Sequence, residues 1–102
     1  MGFKEQLKDD LNIFFNIDEF GEEHIIDKEK ITVIVDNEEL KDRIQKDYDG
    51  IIQADLLYFV KVEDITEPTP GEVQFFDGCI YTIFDVKCDF GIYEVILQAG
   101  RN

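Results

Sequence analysis

The chain has 102 residues, of which 44% are hydrophobic, and its 10 basic and 24 acidic residues give a net charge of −14. A chain of this length is expected to fold as a single domain over 1–102, and this share of apolar residues is typical of a globular protein. The acidic surplus argues against binding to nucleic acid through phosphates or to anionic membranes, because both need clustered lysine and arginine.

The first segment predicts an amphipathic α-helix over 3–14. Apolar residues recur every three or four positions from Phe3 to Phe14, so they fall on one helical face. An acidic loop around Gly21 is expected next, over 15–23. The sequence has neither a signal-peptide core nor a run of about 18 apolar residues, so we expect a cytoplasmic protein.

From His24 onward the sequence alternates between apolar and polar residues with the period of β-strands. Asp77-Gly78 is a dipeptide favoured in two-residue hairpin turns, and no helical crossover separates the later strands. The prediction is therefore mainly β: a small antiparallel β-barrel of about six strands over 24–99, with the N-terminal α-helix and a short helical turn. The first predicted elements are a strand at 24–27 and a strand at 30–35, which form a hairpin across a turn at 27–29. They are followed by an Asn37-capped short helix or helical turn at 37–46, a long strand at 51–62, a hairpin of 73–76 with 79–87, and a last strand at 92–99.

Several predicted strands are apolar on both faces, although a lone barrel needs only one apolar face. Leu57 and Phe59 lie opposite the core-facing residues of the long strand, and Tyr81 and Ile83 lie opposite a second set that includes Val86. The second apolar face must be covered by the N-terminal helix or by another subunit, and the sequence leaves both open. Leu57, Phe59, Tyr81 and Ile83 are therefore candidate interface residues.

The only histidine, His24, lies in an acidic stretch and is the first candidate for a metal or acid–base site. In an extended chain only Glu22 would share its side, while Glu23 would point to the opposite face. A metal or acid–base site would also need ligands that converge from elsewhere in the chain. We therefore expect a solvated acidic rim here, without catalytic residues or metal ligands.

Other catalytic and cofactor patterns are missing from the sequence. The stretch QKDYDGII half-resembles a calcium loop, but the glutamate required at its last position would be Leu56. The chain has no serine and no phosphate-cradling glycine motif. Cys79 and Cys88 lie in one extended stretch and would be about 30 Å apart, too far for a disulfide. We expect no cofactor and no enzyme activity.

The opening acidic stretch resembles a segment of small bacterial phage and prophage head–tail joining proteins, also known as tail-attachment or stopper proteins. The residues that carry the likeness follow the short N-terminal helix as F-x-x-D-E-F-x-E-E-H-x-I-D. The likeness continues in ITVIVDNEELKDR, in PGEVQFFDGCIYTIFDV and in GIYEVILQA, so it spans nearly the whole chain. The chain departs from its relatives at Gly21, where an alanine is usual and a glycine is expected to loosen the loop. It also departs at 27–29, where relatives often have Asp-Gly.

This resemblance implies a structural protein rather than a catalyst. Such proteins are monomers when isolated, and they form a ring on portal or adaptor proteins that completes the virion neck and receives the tail. Assembly takes place in the bacterial host cytoplasm. DNA passes through the neck without specific binding, and a carboxylate-rich conduit suits this because it repels DNA. The docking or lumen-facing loop would comprise Asp18, Glu19, Phe20, Gly21, Glu22, Glu23 and His24.

Two other hypotheses stay open. One is a small acidic β-barrel adaptor of the bacterial cytoplasm that binds a peptide or a basic protein. The other is a metal-dependent enzyme centred on His24, which would require tight zinc or manganese binding. Some relatives of the head–tail joining type also carry names that invoke ATP or sugar transport, although this sequence has no residues for either.

Overall fold

The computed structural model describes residues 17–48 and 53–99. The elements are β1 Glu22–Ile26, β2 Glu29–Val35, α1 Asn37–Tyr48, β3 Leu56–Lys61, a 3-10 turn at Val62–Asp64, β4 Val73–Phe76, β5 Cys79–Asp89 and β6 Ile92–Ala99. The strands form a closed antiparallel barrel in the order β1-β2-β3-β6-β5-β4. The prediction of a mainly β fold built on an antiparallel barrel is confirmed. The helix predicted over 3–14 lies outside the described residues.

Alternate residues of the strands fill the interior of the barrel. Tyr58 and Val60 of β3 and Val95 and Leu97 of β6 point inward and are fully buried, because successive side chains of a strand lie on opposite faces. Each buried aliphatic side chain stabilises the fold by roughly 1.5–3 kcal/mol. The buried interior cluster comprises Ile26, Ile31, Val33, Tyr58, Val60, Phe76, Ile83, Val95 and Leu97.

The outer face of β3 and β6 is apolar as well, and α1 packs against it. Leu57 and Phe59 form a second buried cluster with Leu40 of α1 and with Ile17. The helix, predicted as a short helix or helical turn over 37–46, extends to Tyr48 and contributes the cover that the doubly apolar strands require. This burial stabilises α1, which has mixed charge and would be marginal alone.

The start of α1 differs from the prediction that Asn37 caps it. Oδ1 of Asp36 accepts a hydrogen bond from the N–H of Glu39 at 3.1 Å, so Asp36 is the cap. Oδ1 of Asn37 instead accepts from the N–H of Leu57 at 3.4 Å. The asparagine therefore joins the helix to β3.

Three hairpins of the barrel close through two-residue turns. Glu29 pairs with Ile26, so the first turn is Asp27-Lys28 and not the predicted 27–29. Positive φ at both central residues defines the type I′ turn, whose twist matches that of the flanking strands. The φ values are 50° and 75° at Asp27 and Lys28, 52° and 84° at Asp77 and Gly78, and 51° and 81° at Phe90 and Gly91.

A β-bulge in β5 changes which residues face the interior. Ile83 and Asp85 pair with successive residues of β6, so Phe84 is the extra residue. Val86 consequently packs against the interior cluster that contains Ile83, while Phe84 packs against the outer cluster. The sequence analysis placed Val86 on the face opposite Ile83, and this is wrong because one inserted residue reverses the alternation.

Candidate functional site

The acidic segment predicted as a loop over 15–23 has regular structure in the part that is described. Residues 17–20 are helical, and β1 begins at Glu22. Ile17 is buried in the outer cluster, and the carboxylate of Asp18 forms an ion pair with the largely buried Lys61 of β3. The prediction of a loop is wrong here because an apolar anchor and an ion pair hold the segment against the barrel.

Gly21 is tightly packed, which overturns the expectation that it loosens the segment. A Cβ atom at this position would lie 2.5 Å from the carbonyl oxygen of Ile17 and 2.7 Å from Cγ2 of Thr32. The N–H of Gly21 also donates to the Ile17 carbonyl at 3.1 Å. Only a glycine fits the close passage from the helical residues into β1.

Several side chains of this segment stay exposed although its backbone is held in place. Glu19, Phe20, Glu22 and Glu23 are exposed, and the ring of Phe20 is 69% exposed. These four residues, termed the acidic ridge, contribute little to the described core. They are therefore available for contacts outside the molecule.

The structure places His24 beside Asp77, a residue 53 positions away in the chain. Nδ1 of His24 lies 2.7 Å from Oδ2 of Asp77, and the imidazole stacks on Phe76 with ring centroids 4.9 Å apart. The other ring nitrogen lies 4.0 Å from a carboxylate oxygen of Glu22, which confirms that Glu22 shares its side. Sequence reasoning missed Asp77 as a partner because Asp-Gly indicated only a turn.

The contacts of Asp77 favour its ionised form. The hydrogen bond with His24 lowers the pKa of Asp77, and a hydrogen bond from the N–H of Ile25 at 2.9 Å lowers this pKa further. A carboxylate paired with an imidazole orients the histidine in many hydrolases, where it acts on a nucleophile. This chain has no serine for that role. Over 17–48 and 53–99, no three His, Cys, Asp or Glu side chains are grouped to hold a metal ion.

Asp27 and Asp77 together close the barrel between β1 and β4. The N–H of Asp27 donates to the carbonyl of Phe75 at 2.9 Å, and its carboxylate accepts from the N–H of Phe75 at 3.0 Å. Asp77 makes the equivalent contacts with Ile25, at 2.7 Å and 2.9 Å. The two side chains therefore supply acceptors that backbone carbonyls supply in an ordinary ladder.

The candidate interface residues from the sequence lie within the protein. Leu57, Phe59 and Ile83 are only 0%, 2% and 3% exposed, and Tyr81 packs partly buried against the interior cluster. The α1 helix packs over the first two, and closure of the barrel encloses Ile83. The proposal that these residues form a free interface is wrong for the three that are buried.

A different apolar surface is exposed, on the outside of β1, β4 and β5. Ile25, Val73, Phe75 and Ile80 are 42%, 56%, 45% and 55% exposed. Phe75 and Ile80 are direct cross-strand partners, and the hydrogen bonds of the two turn aspartates bring β1 alongside β4. These four residues are termed the β4 stripe. Alternation alone missed the stripe because it cannot tell which of two apolar faces a helix will cover.

Two cavities adjoin the turn that links β1 to β2. One of about 170 Å³ lies against Phe75 of the β4 stripe, where Asp27 and Lys28 line it. The other has a volume of about 220 Å³ and is termed the acidic cavity, because Asp27 and Glu29 are among the residues that line it. Its lining comprises Ile26, Asp27, Glu29, Ile31, Ile65 and Thr66.

A charged cluster fixes α1 on the outside of the barrel. Arg43 is only 6% exposed, and its guanidinium donates to Asp85 at 2.9 Å and also to Glu94. The hydroxyl of Tyr48 donates to Asp85 at 2.6 Å. Burial raises the pKa of Tyr48, and its hydrogen bond with Asp85 raises that pKa further. Because each member has a partner within the cluster, we assign it a structural role.

The chain is similar in fold to the ATP-binding sugar transporter-like protein from Salmonella typhimurium, whose crystal structure is known. The two share 13% sequence identity over 95% of this chain and 92% of that chain, with a TM-score of 0.51. At this identity the likeness concerns the fold alone. No protein-family model matches the chain, and no curated protein matches its sequence. The described part of the chain contains no helix long and apolar enough to cross a membrane.

Proposed function

We propose that this protein is a structural component of the head–tail joining type, which completes the neck below a phage portal and offers a surface for tail attachment. The acidic ridge carries the proposal. Its residues belong to the stretch that resembles head–tail joining proteins, and the buried Ile17 and the Asp18–Lys61 ion pair hold its backbone in place. A fixed segment with exposed side chains is suited to binding a partner.

The charge of the chain supports the same role. A net charge of −14 repels DNA, so DNA can pass a ring of such subunits without being bound. The partners in this role are portal or adaptor proteins and tail proteins. The protein is a monomer when isolated and forms a ring on assembly. It lies in the bacterial host cytoplasm while particles assemble and in the virion neck afterwards.

The name of the similar Salmonella protein suggests nucleotide binding as a further possibility to weigh. Nucleotide phosphates are commonly cradled by a glycine-rich loop followed by lysine. This sequence has no such motif, so we propose a non-catalytic protein without a cofactor.

A second candidate is a small acidic adaptor of the bacterial cytoplasm that binds a peptide or a basic protein. The β4 stripe favours it, because exposed apolar side chains that lie together mark surfaces for protein partners. Gene order separates the two candidates. Portal, capsid and tail genes beside this gene support head–tail joining, whereas their absence supports the adaptor.

The head–tail role can be tested by reversing the charge of the acidic ridge. A variant with Glu19→Lys, Glu22→Lys and Glu23→Lys leaves the Asp18–Lys61 ion pair intact. Its matched control carries Glu63→Lys, Asp64→Lys and Glu67→Lys, which changes the same amount of charge at exposed positions elsewhere. Both would replace the natural gene in the prophage, and tailed particles would be counted by electron microscopy.

We expect the ridge variant to produce filled heads without tails, whereas the control variant produces tailed particles at the natural level. Purified ridge variant should also fail to bind isolated portal rings in sedimentation experiments. Normal numbers of tailed, infectious particles from the ridge variant would overturn the proposed function.

A further inference from the structure

We propose that the β4 stripe and the neighbouring acidic cavity together form a docking site for a basic amphipathic segment of another protein. Apolar side chains of that segment would pack on the stripe, and a lysine or arginine side chain would enter the cavity. This inference goes beyond the head–tail role, and it would hold for the adaptor as well.

The β4 stripe is a continuous apolar surface rather than scattered residues. Phe75 and Ile80 are cross-strand partners, and side chains in such pairs contact each other. Ile25 is the diagonal neighbour of Phe75 across the seam, because Ile26 pairs with Phe76 and the carbonyl of Ile25 accepts a hydrogen bond from Asp77 at 2.7 Å. Val73 extends the stripe along β4 on the same face as Phe75.

The stripe is not covered as the opposite side of the barrel is. There, α1 and Ile17 bury Leu57 and Phe59 to 0% and 2% exposure. The four stripe residues keep between 42% and 56% exposure. Among residues 17–48 and 53–99, no helix packs over this face as α1 does over the other, so it is open to a partner.

The acidic cavity fits a long cationic side chain. Its walls include Ile26, Ile31 and Ile65, and its border includes Asp27 and Glu29. Lysine and arginine bury their methylene stems on apolar surface while the charged head stays with polar groups. The carboxylate of Asp27 already accepts from Phe75, but a carboxylate has about four acceptor positions and can accept more.

The cavity and the stripe lie close enough for one segment to reach both. The smaller cavity is lined by Asp27, Lys28 and Phe75. Asp27 also lines the acidic cavity. A segment packed on Phe75 therefore lies beside the residue that borders the cation site.

Electrostatics favours a basic partner over a second copy of this chain. Each copy carries a net charge of −14, so two copies repel each other, whereas a segment rich in lysine or arginine is attracted. Binding to the basic segment should therefore weaken as salt is added. Association of two copies should instead strengthen with salt.

The test uses the purified chain and two fluorescently labelled peptides of equal length and charge. Leucine and lysine alternate in the first peptide, and serine and lysine alternate in the second. Fluorescence anisotropy would measure both affinities at several salt concentrations. We expect the leucine peptide to bind at least about tenfold more tightly, which corresponds to about 1.4 kcal/mol.

Variants then locate the binding surface. Phe75→Ser with Ile80→Ser should weaken binding of the leucine peptide about tenfold or more, and Glu29→Gln should weaken it about threefold or more. Phe90→Ser removes a ring that is 71% exposed elsewhere, and Glu38→Gln removes an exposed charge from α1. Both control variants should bind like the natural protein.

Amide NMR spectra of the natural protein titrated with the leucine peptide give a readout that needs no variant. We expect shifts at the stripe and around the acidic cavity, with little change on α1. Equal affinity for both peptides, undiminished binding by the stripe variant or shifts centred on α1 would each overturn the proposal. So would salt-strengthened dimerisation through the stripe, seen by sedimentation. Because no phage particle is involved, these outcomes are separate from failure of the head–tail role.

Discussion

Asp27 and Asp77 are each the first central residue of a type I′ turn, and their side chains bind reciprocally. The carboxylate of Asp27 accepts a hydrogen bond from β4, which leads into the turn of Asp77, and the carboxylate of Asp77 accepts one from β1, which leads into the turn of Asp27. Between them, β1 and β4 meet at the pair of Ile26 with Phe76. The seam that closes the barrel is therefore short and depends on two carboxylates. Asp77 also binds His24, so the same residue joins the seam to the histidine.

Replacing either turn aspartate by glycine should weaken the seam. Glycine tolerates the positive φ but removes the acceptor. Because both hydrogen bonds are exposed, we expect each loss to cost about 0.5–1.5 kcal/mol, the net value of an ordinary hydrogen bond. Asp27→Asn and Asp77→Asn are the matched controls, because asparagine keeps an oxygen acceptor and also tolerates positive φ. Urea unfolding monitored by circular dichroism measures the free energy of unfolding. Glycine variants as stable as the asparagine variants would contradict the assigned role.

The stability that Asp77 contributes should disappear in acid. Its pKa is lowered below the ordinary value of 3.8 by His24 and by the N–H of Ile25. A lowered pKa in the folded state adds stability above the unfolded-state pKa, and this stability is lost as the pH falls through the lowered pKa. The difference in unfolding free energy between the natural protein and Asp77→Asn should therefore narrow between pH 5 and pH 2, a range chosen to span that transition. A constant difference across this range would contradict the prediction.

Gly21→Ala should destabilise the protein by about 1–3 kcal/mol, the range typical of overpacking. The added Cβ meets the Ile17 carbonyl and the Thr32 side chain at 2.5 and 2.7 Å. Adding Thr32→Ser should recover only part of the loss, because it removes the side-chain contact and leaves the backbone contact. Thermal unfolding of both variants and of Thr32→Ser alone checks this. If Gly21→Ala is as stable as the natural protein, residues 17–21 can shift away from Thr32 and are not tightly packed.

Arg43→Met should destabilise the protein by about 2–3 kcal/mol, because it leaves Asp85 and Glu94 without their shared cation. Arg43→Lys should recover little of this, since one ammonium lacks the forked geometry that reaches two carboxylates. Denaturant unfolding gives both values. If Arg43→Lys is as stable as the natural protein, a simple positive charge suffices to hold α1.

Local rules predicted the features that depend on a few neighbouring residues. The inward set of β3 and β6, represented by Tyr58 and Val95, follows from the two-residue period of a strand. The Asp77-Gly78 turn follows from the low cost of positive φ at glycine and aspartate. These preferences act within the segment itself, so they can be recognised without knowledge of the rest of the fold.

By itself, the sequence determined that the protein is acidic and mainly β. It also determined the antiparallel strands and the Asp77-Gly78 turn. Tertiary structure decided which apolar face α1 covers, where Phe84 bulges, and that Asp77 meets His24. It also imposes positive φ on Lys28 and Phe90, against the local preference of both residues. These outcomes depend on contacts between residues far apart in the chain, because only closure of the barrel and docking of α1 bring them together.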